Sequence, residues 1–540
     1  MKICNAQNEI TTEYVLPDKI IVSENAQNPE YLLNEHPRQA FLGDVPVCII
    51  KKGGYILYDF GEEFHGGADF VIEKVEGAAT YAKIRTVFGE SVSEVLSSVG
   101  EKNAVNEHSP RDITIETGWL SHHIVGNTGY RFLKLEAVDA DFHISSLQGI
   151  SRIRKLEYKG SFRSDSERLN KIWQVGARTV HLNMQEYLWD GIKRDKLVWI
   201  GDMHPEFSSI SMVFGDYSVV KKSLDFISSM TPPDKWCNGL ASYSMWWIKI
   251  QRDLYWYGGD FEYLKSTAGF LTDTLKAITS AYKSGTEFSH FCEWSSAETE
   301  DEDAGFYSML VIGLEAGAEL LHILKENPEL AAECSCLAAD IKKKTFTDVK
   351  NKQVAAILAL SGICDPKKMC TDIIKPGGAK GLSTFWGYYV LNALAENNDM
   401  CFALDIIDKY WGAMLDMGAT TFWEDFDIEW LDNASPIDRI CPPDKKDIHG
   451  DFGKFCYKGL RHSLCHGWAS GPTAFLSRKV LGIIPAEPGY KKIKVHPDLG
   501  NLTFAEGCVP TPSGIIRVRH EKTGSEIKTQ LTLPNGIEKI

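Results

Sequence analysis

Ser164-Asp165-Ser166-Glu167-Arg168-Leu169-Asn170-Lys171-Ile172-Trp173-Gln174-Val175-Gly176-Ala177-Arg178-Thr179-Val180 is where the pattern of the chain changes. A Ser-Asp-Ser-Glu start precedes Leu169, Ile172, Val175 and Val180, which recur at roughly helical spacing, so a helix is predicted from Ser164 to Leu188. The same period recurs at Asp216 to Met230, Ser242 to Trp256, Phe261 to Ala281, Phe306 to Lys325, Glu329 to Lys344, Thr384 to Glu396, Asp399 to Leu415 and Lys458 to Leu481. With shorter pieces this makes about a dozen helices. An α-solenoid would repeat its sequence at a fixed period, and no such repeat is present. The connecting loops are long and loaded with Trp, Asp and Glu, which favours a closed toroid of helical hairpins with loops gathered at one end.

Outward from this centre both flanks read as strands. Residues 1–160 contain alternating runs such as Tyr55 to Phe60, Thr80 to Arg85 and Arg131 to Glu136. Gly66-Gly67, Gly118 and Asn127-Thr128-Gly129 supply turn residues, so an antiparallel β-sandwich is expected. After the Pro/Gly-rich stretch Ile484 to Tyr490, alternation returns at Lys492 to His496 and Ile515 to His520. The chain therefore reads as multidomain: a β-sandwich over 1–160, a central all-α domain over 161–484 and a small β domain over 485–540. Some fifty residues are few for an independent sheet, so the last unit is expected to pack on the others.

The 540 residues are 44% hydrophobic and 24% charged, with 58 basic against 73 acidic side chains and a net charge of −15. This is a folded, acidic chain, and such a surface disfavours nucleic acid and anionic membranes as partners. Charged residues interrupt every apolar run before the ~18 positions of a membrane span. The start, Met1-Lys2-Ile3-Cys4-Asn5-Ala6-Gln7-Asn8-Glu9, lacks a secretory pattern, and thirteen scattered cysteines match no disulfide framework or zinc spacing, so a reducing cytoplasm is expected. A homodimeric assembly stays open.

Chemistry concentrates in three loops. Asp190-Gly191-Ile192-Lys193-Arg194-Asp195-Lys196-Leu197-Val198-Trp199-Ile200-Gly201-Asp202-Met203-His204-Pro205-Glu206 places four acids, an Arg, a His and a Trp together. Gly418-Ala419-Thr420-Thr421-Phe422-Trp423-Glu424-Asp425-Phe426-Asp427 again alternates Trp with carboxylates. Phe291-Cys292-Glu293-Trp294 precedes an acidic run from Glu298 to Asp303 whose spacing is not that of an EF-hand. Aromatic faces stack on sugar CH faces while carboxylates take hydroxyls, so a saccharide cleft including Trp423 is expected. His462 and His466 sit four apart on a predicted helical face, yet no third ligand accompanies them, and no metal or cofactor is expected. GxSxG, P-loop and GxGxxG signatures are missing, which leaves paired carboxylates as the credible chemistry.

These motifs, in this order, resemble the bacterial α-L-rhamnosidases over nearly the whole chain. Tyr58-Asp59-Phe60-Gly61 and Gly129-Tyr130-Arg131-Phe132-Leu133 resemble the family's β-domain signatures, and Gly489-Tyr490 through Thr511-Pro512-Ser513-Gly514 its C-terminal β domain. The resemblance implies an inverting glycoside hydrolase on an (α/α)6 toroid, acting on an oligosaccharide or glycoside. It implies that Asp190 and Asp202 take sugar hydroxyls, Arg194 fixes them, Trp199 lines the cleft and Glu424 is the general base. His466 resembles a substrate-binding histidine, and Glu293-Trp294 an Asp-Trp pair of the cleft. In place of the usual Glu acid the chain offers Asp195, and Gly191-Ile192-Lys193 replaces the usual Cys-Pro-Gln. These departures, with a chain short for the family, mark a divergent branch whose sugar is rhamnose or a relative of it. Inversion requires the two carboxyls to stand about 6.5 to 9.5 Å apart. Two other readings stay open: a hydrolase of unsaturated uronyl substrates on the same toroid, and a non-catalytic carbohydrate-binding protein.

Overall fold

The computed structural model describes residues 9–78, 80–232, 235–286, 288–297, 299–524 and 526–540. The opening stretch 1–8 and Glu298, first of the acidic run, lie outside the described residues. Seven strands come first: β1 (Ile10–Val15), β2 (Lys19–Gln27), β3 (Cys48–Glu76), β4 (Ala82–Gly89), β5 (Asp112–Thr117), β6 (Ser121–Ala137) and β7 (Asp141–Arg154), with the short helix α1 (Val92–Leu96) after β4. They form one antiparallel sheet in the order β1-β7-β3-β6-β4-β5, with β2 also on β3. The 29-residue β3 pairs with β7 near both its ends, so the sheet curls around Phe60, Phe64, Phe70, Tyr130 and Phe142.

Gly66-Gly67, expected in a turn, lie inside β3. A Cβ on Gly66 would meet Ile150 O at 1.8 Å, and one on Gly67 would meet Val125 O at 2.4 Å. Glycine here serves the close approach of strands at a bulge. Asn127-Thr128-Gly129 likewise lies within β6, whereas Gly118 does connect β5 to β6.

The strand β8 (Ser161–Ser164) leads into the helices α2 (Glu167–Asn183), α3 (Met203–Val213), α4 (Ser218–Met230), α5 (Ala241–Gly258), α6 (Phe261–Ser266), α7 (Ala268–Ser284), α8 (Glu302–Leu324), α9 (Pro328–Ile341), α10 (Lys352–Ser361), α11 (Pro366–Met369), α12 (Thr384–Glu396), α13 (Met400–Asp416) and α14 (Gly471–Phe475). Ser166 caps α2 by accepting from Leu169 N, and Ser383 caps α12 through Trp386 N. The single helix expected over Phe261 to Ala281 is broken at Thr267 into α6 and α7. Around the bundle α3 packs on α5, α5 on α8, α8 on α10, α10 on α12, α12 on α14, and α14 back on α3, a closed ring of six with α2 packed outside it on α3, α13 and α14. The long apolar α8 is long enough to cross a bilayer, yet two thirds of its apolar window is buried between neighbouring helices.

Of the helix predicted over Lys458 to Leu481, the second half forms as one run through Gly467–Ser470, Gly471–Phe475 and Leu476–Val480, whereas the stretch 458–466 before it keeps only the short turn Gly459–Arg461. Backbone N–H groups there are spent elsewhere: Ser463 on Glu424 Oε2 (3.0 Å), Leu464 on Glu90 Oε2 (2.6 Å), His466 on Phe422 O (2.9 Å) and Gly467 on Asp190 O (2.8 Å). A segment donating to side chains and loops has no donors left for a helix. His462 and His466 therefore do not share a helical face.

Two-residue strands β9 (Ala434–Ser435) and β10 (Lys446–Asp447) pair within the loop after α13, and β11 (Ile483–Pro485), β12 (Lys492–Val495), β13 (Phe504–Thr511), β14 (Gly514–Thr523), β15 (Glu526–Thr532) and β16 (Glu538–Lys539) close the chain. The four-stranded sheet runs β15-β14-β13-β8, so the last segment borrows its edge strand from before the helices. Its Ala505, Val509, Ile516 and Val518 join the helical core.

The two signatures of the first sheet meet each other. Arg131 donates from Nε and Nη2 to the two oxygens of fully buried Asp59 (2.7 and 2.8 Å), and from Nη1 to Gly418 O (3.0 Å), just before the Trp423-Glu424 segment. Arg131→Met would leave the Asp59 carboxylate buried without its fork, at a cost of about 3 to 5 kcal/mol. The urea unfolding midpoint should fall accordingly, with Arg131→Lys recovering less than half because a lysine cannot reproduce the planar fork.

Candidate active site

The loop between α2 and α3 is anchored from below by the first sheet. Ile192 packs into the sheet core, and its carbonyl accepts from Gly129 N (2.9 Å). Lys193 is buried and reaches Glu90 (2.9 Å), Glu94 (3.3 Å) and the carbonyl oxygens of Leu460 and His462. Residues 191–193 thus bolt the loop to the sheet while Arg194 turns the other way. Asp195 and Lys196 are both left-handed (φ 54° and 53°), a conformation that persists only where contacts over-determine it. Those contacts are Leu197 N to Asp190 Oδ1 (2.9 Å) and Lys196 Nζ to Asn127 O (2.8 Å).

Arg194 is buried and ties two loops together. Its Nη2 donates to Glu424 Oε1, and its Nη1 lies 3.3 Å from Asp195 Oδ1. Burial opposes the guanidinium charge, but Glu424 and Asp195 outweigh it and raise the pKa further. Glu424 Oε2 accepts from Ser463 N, and the Glu424 carbonyl accepts from Trp468 Nε1 (2.9 Å) and Thr384 Oγ1 (2.6 Å).

His466 Nε2 stands amid three carboxylates, 3.5 Å from Glu424, 3.7 Å from Asp190 and 3.8 Å from Asp202, distances too long for direct hydrogen bonds. Its ring rests on Trp468 with centroids 4.2 Å apart. Burial, reinforced by Arg194, pushes the imidazole well below its usual range, so it is neutral. Asp190 and Asp202 are driven well above theirs, chiefly by burial and then by neighbouring carboxylates. A carboxyl that burial makes harder to ionise can, when protonated, both give and accept hydrogen bonds, as sugar hydroxyls require. Asp190, Asp202 and His466 are close enough to share a cation, which would have to compete with protons for the two acids, whose pKa values are raised.

Beside this cluster opens a cleft of about 210 Å³, lined by Glu293, Glu424, Asp425, Tyr457, Phe455 and Trp468 among others. The first turns of α10 and α12 form one side through Gln353 and Thr384. Glu293 accepts from Ser295 N and Oγ, and burial raises its pKa. Half-buried Trp294 stacks on Phe455 at 5.6 Å. Half-buried Trp199 donates from Nε1 to Asp195 Oδ2 (3.2 Å) and meets Tyr243 edge-on. His108 Nε2 also faces Asp195 Oδ1 (3.3 Å), so Arg194, Trp199 and His108 surround the Asp195 carboxyl.

Trp423 is a correction. It is 1% exposed, packs edge-on against Phe426 and belongs to the core beneath the cleft. Alternation of Trp with acids points the acid into the site and the ring away from it. Sequence reasoning also passed over Asp425, Glu206, Tyr243, Tyr457 and Trp468. Asp425 and Glu206 stand in the very loops that drew attention; a carboxylate next to another carries no mark of which one is buried.

Residues 157–348 match the family of the bacterial alpha-L-rhamnosidase 6 hairpin glycosidase domain, and residues 482–539 match the bacterial alpha-L-rhamnosidase C-terminal domain. Both segments are thus similar to domains of the bacterial α-L-rhamnosidases. It is 22% identical to an alpha-L-rhamnosidase of Alteromonas sp. (strain LOR) over 90% of its own length and 53% of that protein's. Similar folds include a GH78 family rhamnosidase of a Bacillus species (TM-score 0.73, 19% identity, 95% of this chain and 56% of that one). The rhamnosidase from Klebsiella oxytoca with rhamnose bound is also similar (TM-score 0.69, 17% identity, 87% and 96%). The chain spans about half the length of the curated relative it matches.

Within this site burial first, then Glu293, raises the pKa of Asp425 to about 7. An acid raised above its unfolded value of ~3.9 binds its proton more tightly when folded. Its stabilising contribution is therefore complete below about pH 4 and is lost as pH rises through about 7. Asp425→Asn should gain stability relative to wild type between pH 5 and pH 8, by up to about 4 kcal/mol. Urea unfolding of both proteins across that range reads the difference; equal pH profiles would place the ~7 titration elsewhere.

Proposed function

We propose that this protein is an inverting glycoside hydrolase that removes terminal α-L-rhamnosyl or closely related residues from oligosaccharides or glycosides. The observation that carries the reading is one buried guanidinium, Arg194, touching both Asp195 and Glu424 beside the Asp190, Asp202, His466 cluster. The unbroken cycle of helix packing supports an (α/α)6 toroid flanked by sandwich-type β domains, with the cleft at the helix N-terminal end.

In this reading Asp190 and Asp202 take the sugar hydroxyls, neutral His466 sits between them and Trp199 and Trp294 wall the entrance. Glu424, fixed by Arg194 and Ser463 N, accepts the proton of a water that attacks the anomeric carbon. Asp195 protonates the leaving oxygen, and the glycosidic bond breaks as the new bond to water forms. Asp425 is a second candidate for the proton donor, favoured by its place in the cleft and its pKa near 7.

Proton NMR of an aryl α-L-rhamnoside tests the proposal. The earliest free sugar should carry the β anomeric signal, and Glu424→Gln should abolish its release by at least 10²-fold, the order expected for a lost general base. Retained configuration would reject inversion, and full activity of Glu424→Gln would reject the base. Loss of the acid is felt least by substrates with good leaving groups, so whichever of Asp195→Asn and Asp425→Asn spares a dinitrophenyl glycoside while losing a methyl glycoside marks the donor. No release by wild type from any glycoside would favour a binding role.

A further inference from the structure

The inner helices have two ends. Tyr243, Gln353 and Thr384 open α5, α10 and α12 beside the acidic cleft, whereas the later turns of the same helices converge on a second cavity of about 350 Å³. It is walled by Trp246, Tyr257, Tyr388, Tyr389, Ile312 and Ile357. This is the flat, largely apolar lining of a small-molecule pocket.

The polar groups in its wall are unbalanced toward donors. Lys249 and Arg252 are paired with Asp253, Arg252 also with Glu319 (2.8 Å), and Lys479 with Glu396 (3.6 Å). His204 is spent on Tyr389 Oη (2.9 Å) and Asp253 (3.0 Å). Arg478 has no carboxylate within ion-pair distance among the described residues. Its Nη1 donates to Tyr388 Oη (3.2 Å) and Ser208 Oγ (3.4 Å), and its Nη2 to Ser211 Oγ (2.8 Å). A guanidinium has five N–H groups, so Nε–H and one Nη2–H remain without a partner, on the two nitrogens that can grip a carboxylate in two parallel bonds. Arg478 Nε is buried without a partner, as is Trp246 Nε1 of the same cavity. The guanidinium lies over the Tyr257 ring at 4.2 Å, inside an aromatic wall.

We infer that this cavity binds a small organic anion, a carboxylate on a planar apolar body, with Arg478 Nε and Nη2 holding the carboxylate and the Trp246 and Tyr257 rings flanking the body. The site is separate from the acidic cleft, and its existence does not depend on the glycosidase reading.

Isothermal titration of the full chain with benzoate, and with neutral benzamide as the uncharged counterpart, tests it. Benzoate should bind at least tenfold more tightly than benzamide, and Arg478→Gln should weaken benzoate at least tenfold. Because Arg478 is tied to Ser208, Ser211 and Tyr388, Ile484→Trp at the exposed rim provides a second variant that fills the mouth without touching the core; it should weaken benzoate similarly with an unchanged unfolding midpoint. Excess L-rhamnose should leave benzoate binding unchanged. Failure of wild type to bind benzoate, equal binding of benzamide, indifference to both substitutions or displacement by L-rhamnose would each overturn the assignment.

Discussion

The buried guanidinium of Arg194 is the interaction on which the acidic site depends. Buried Asp190, Asp202, Glu206, Glu293 and Glu424 crowd the neighbouring loops, and desolvation alone would protonate or unfold such an assembly. One guanidinium beside Glu424 and Asp195 keeps the two loops together. Its neighbour Lys193 does the opposite job, pointing backwards to Glu90 and Glu94 and joining the loop to the first sheet. Adjacent cations serving different acid clusters explain why a three-residue stretch between Asp190 and Arg194 can depart from the family pattern: Ile192 and Lys193 are read by the sheet, and only Arg194 is read by the site.

The helical bundle supports the same division of charge. Helix N-termini carry partial positive charge and C-termini partial negative charge. The beginnings of α3, α5, α10 and α12 surround the acids, and the later turns of α5 and α12 surround Lys249, Arg252, Arg478 and Lys479. Each end is thus lined by side chains of the sign that its helix dipoles favour. The cationic end nevertheless holds one more charge than its partners neutralise, and that excess distinguishes a ligand site from a simple capping arrangement.

Much of this organisation was legible in the sequence. Helix periods placed most of the bundle, with Thr384–Glu396 coinciding with its predicted limits, because a capping serine and an apolar face are local properties. The acid-rich loops marked themselves by their length and by their mixture of Trp with carboxylates. What was not legible depended on distant partners. The segment after Lys458 keeps a helix-like pattern, yet its amides are claimed by Glu424, Glu90 and Asp190, which only the folded chain brings near. Gly66 and Gly67 imitate a turn but serve strand contact, and Trp423 imitates a cleft aromatic but fills the core. Nothing local in Glu90 or Glu94 shows that they are a counter-charge for Lys193, some hundred residues away.

A crystal structure of the protein with L-rhamnose bound tests the central claim most directly. The account predicts the sugar in the acidic cleft, its hydroxyls within hydrogen-bond reach of Asp190 and Asp202, and the Glu424 carboxylate, still held by Arg194, facing the anomeric carbon from the side opposite Asp195. A sugar bound elsewhere, or one seated in the cleft with Glu424 turned away from the anomeric carbon, would contradict it.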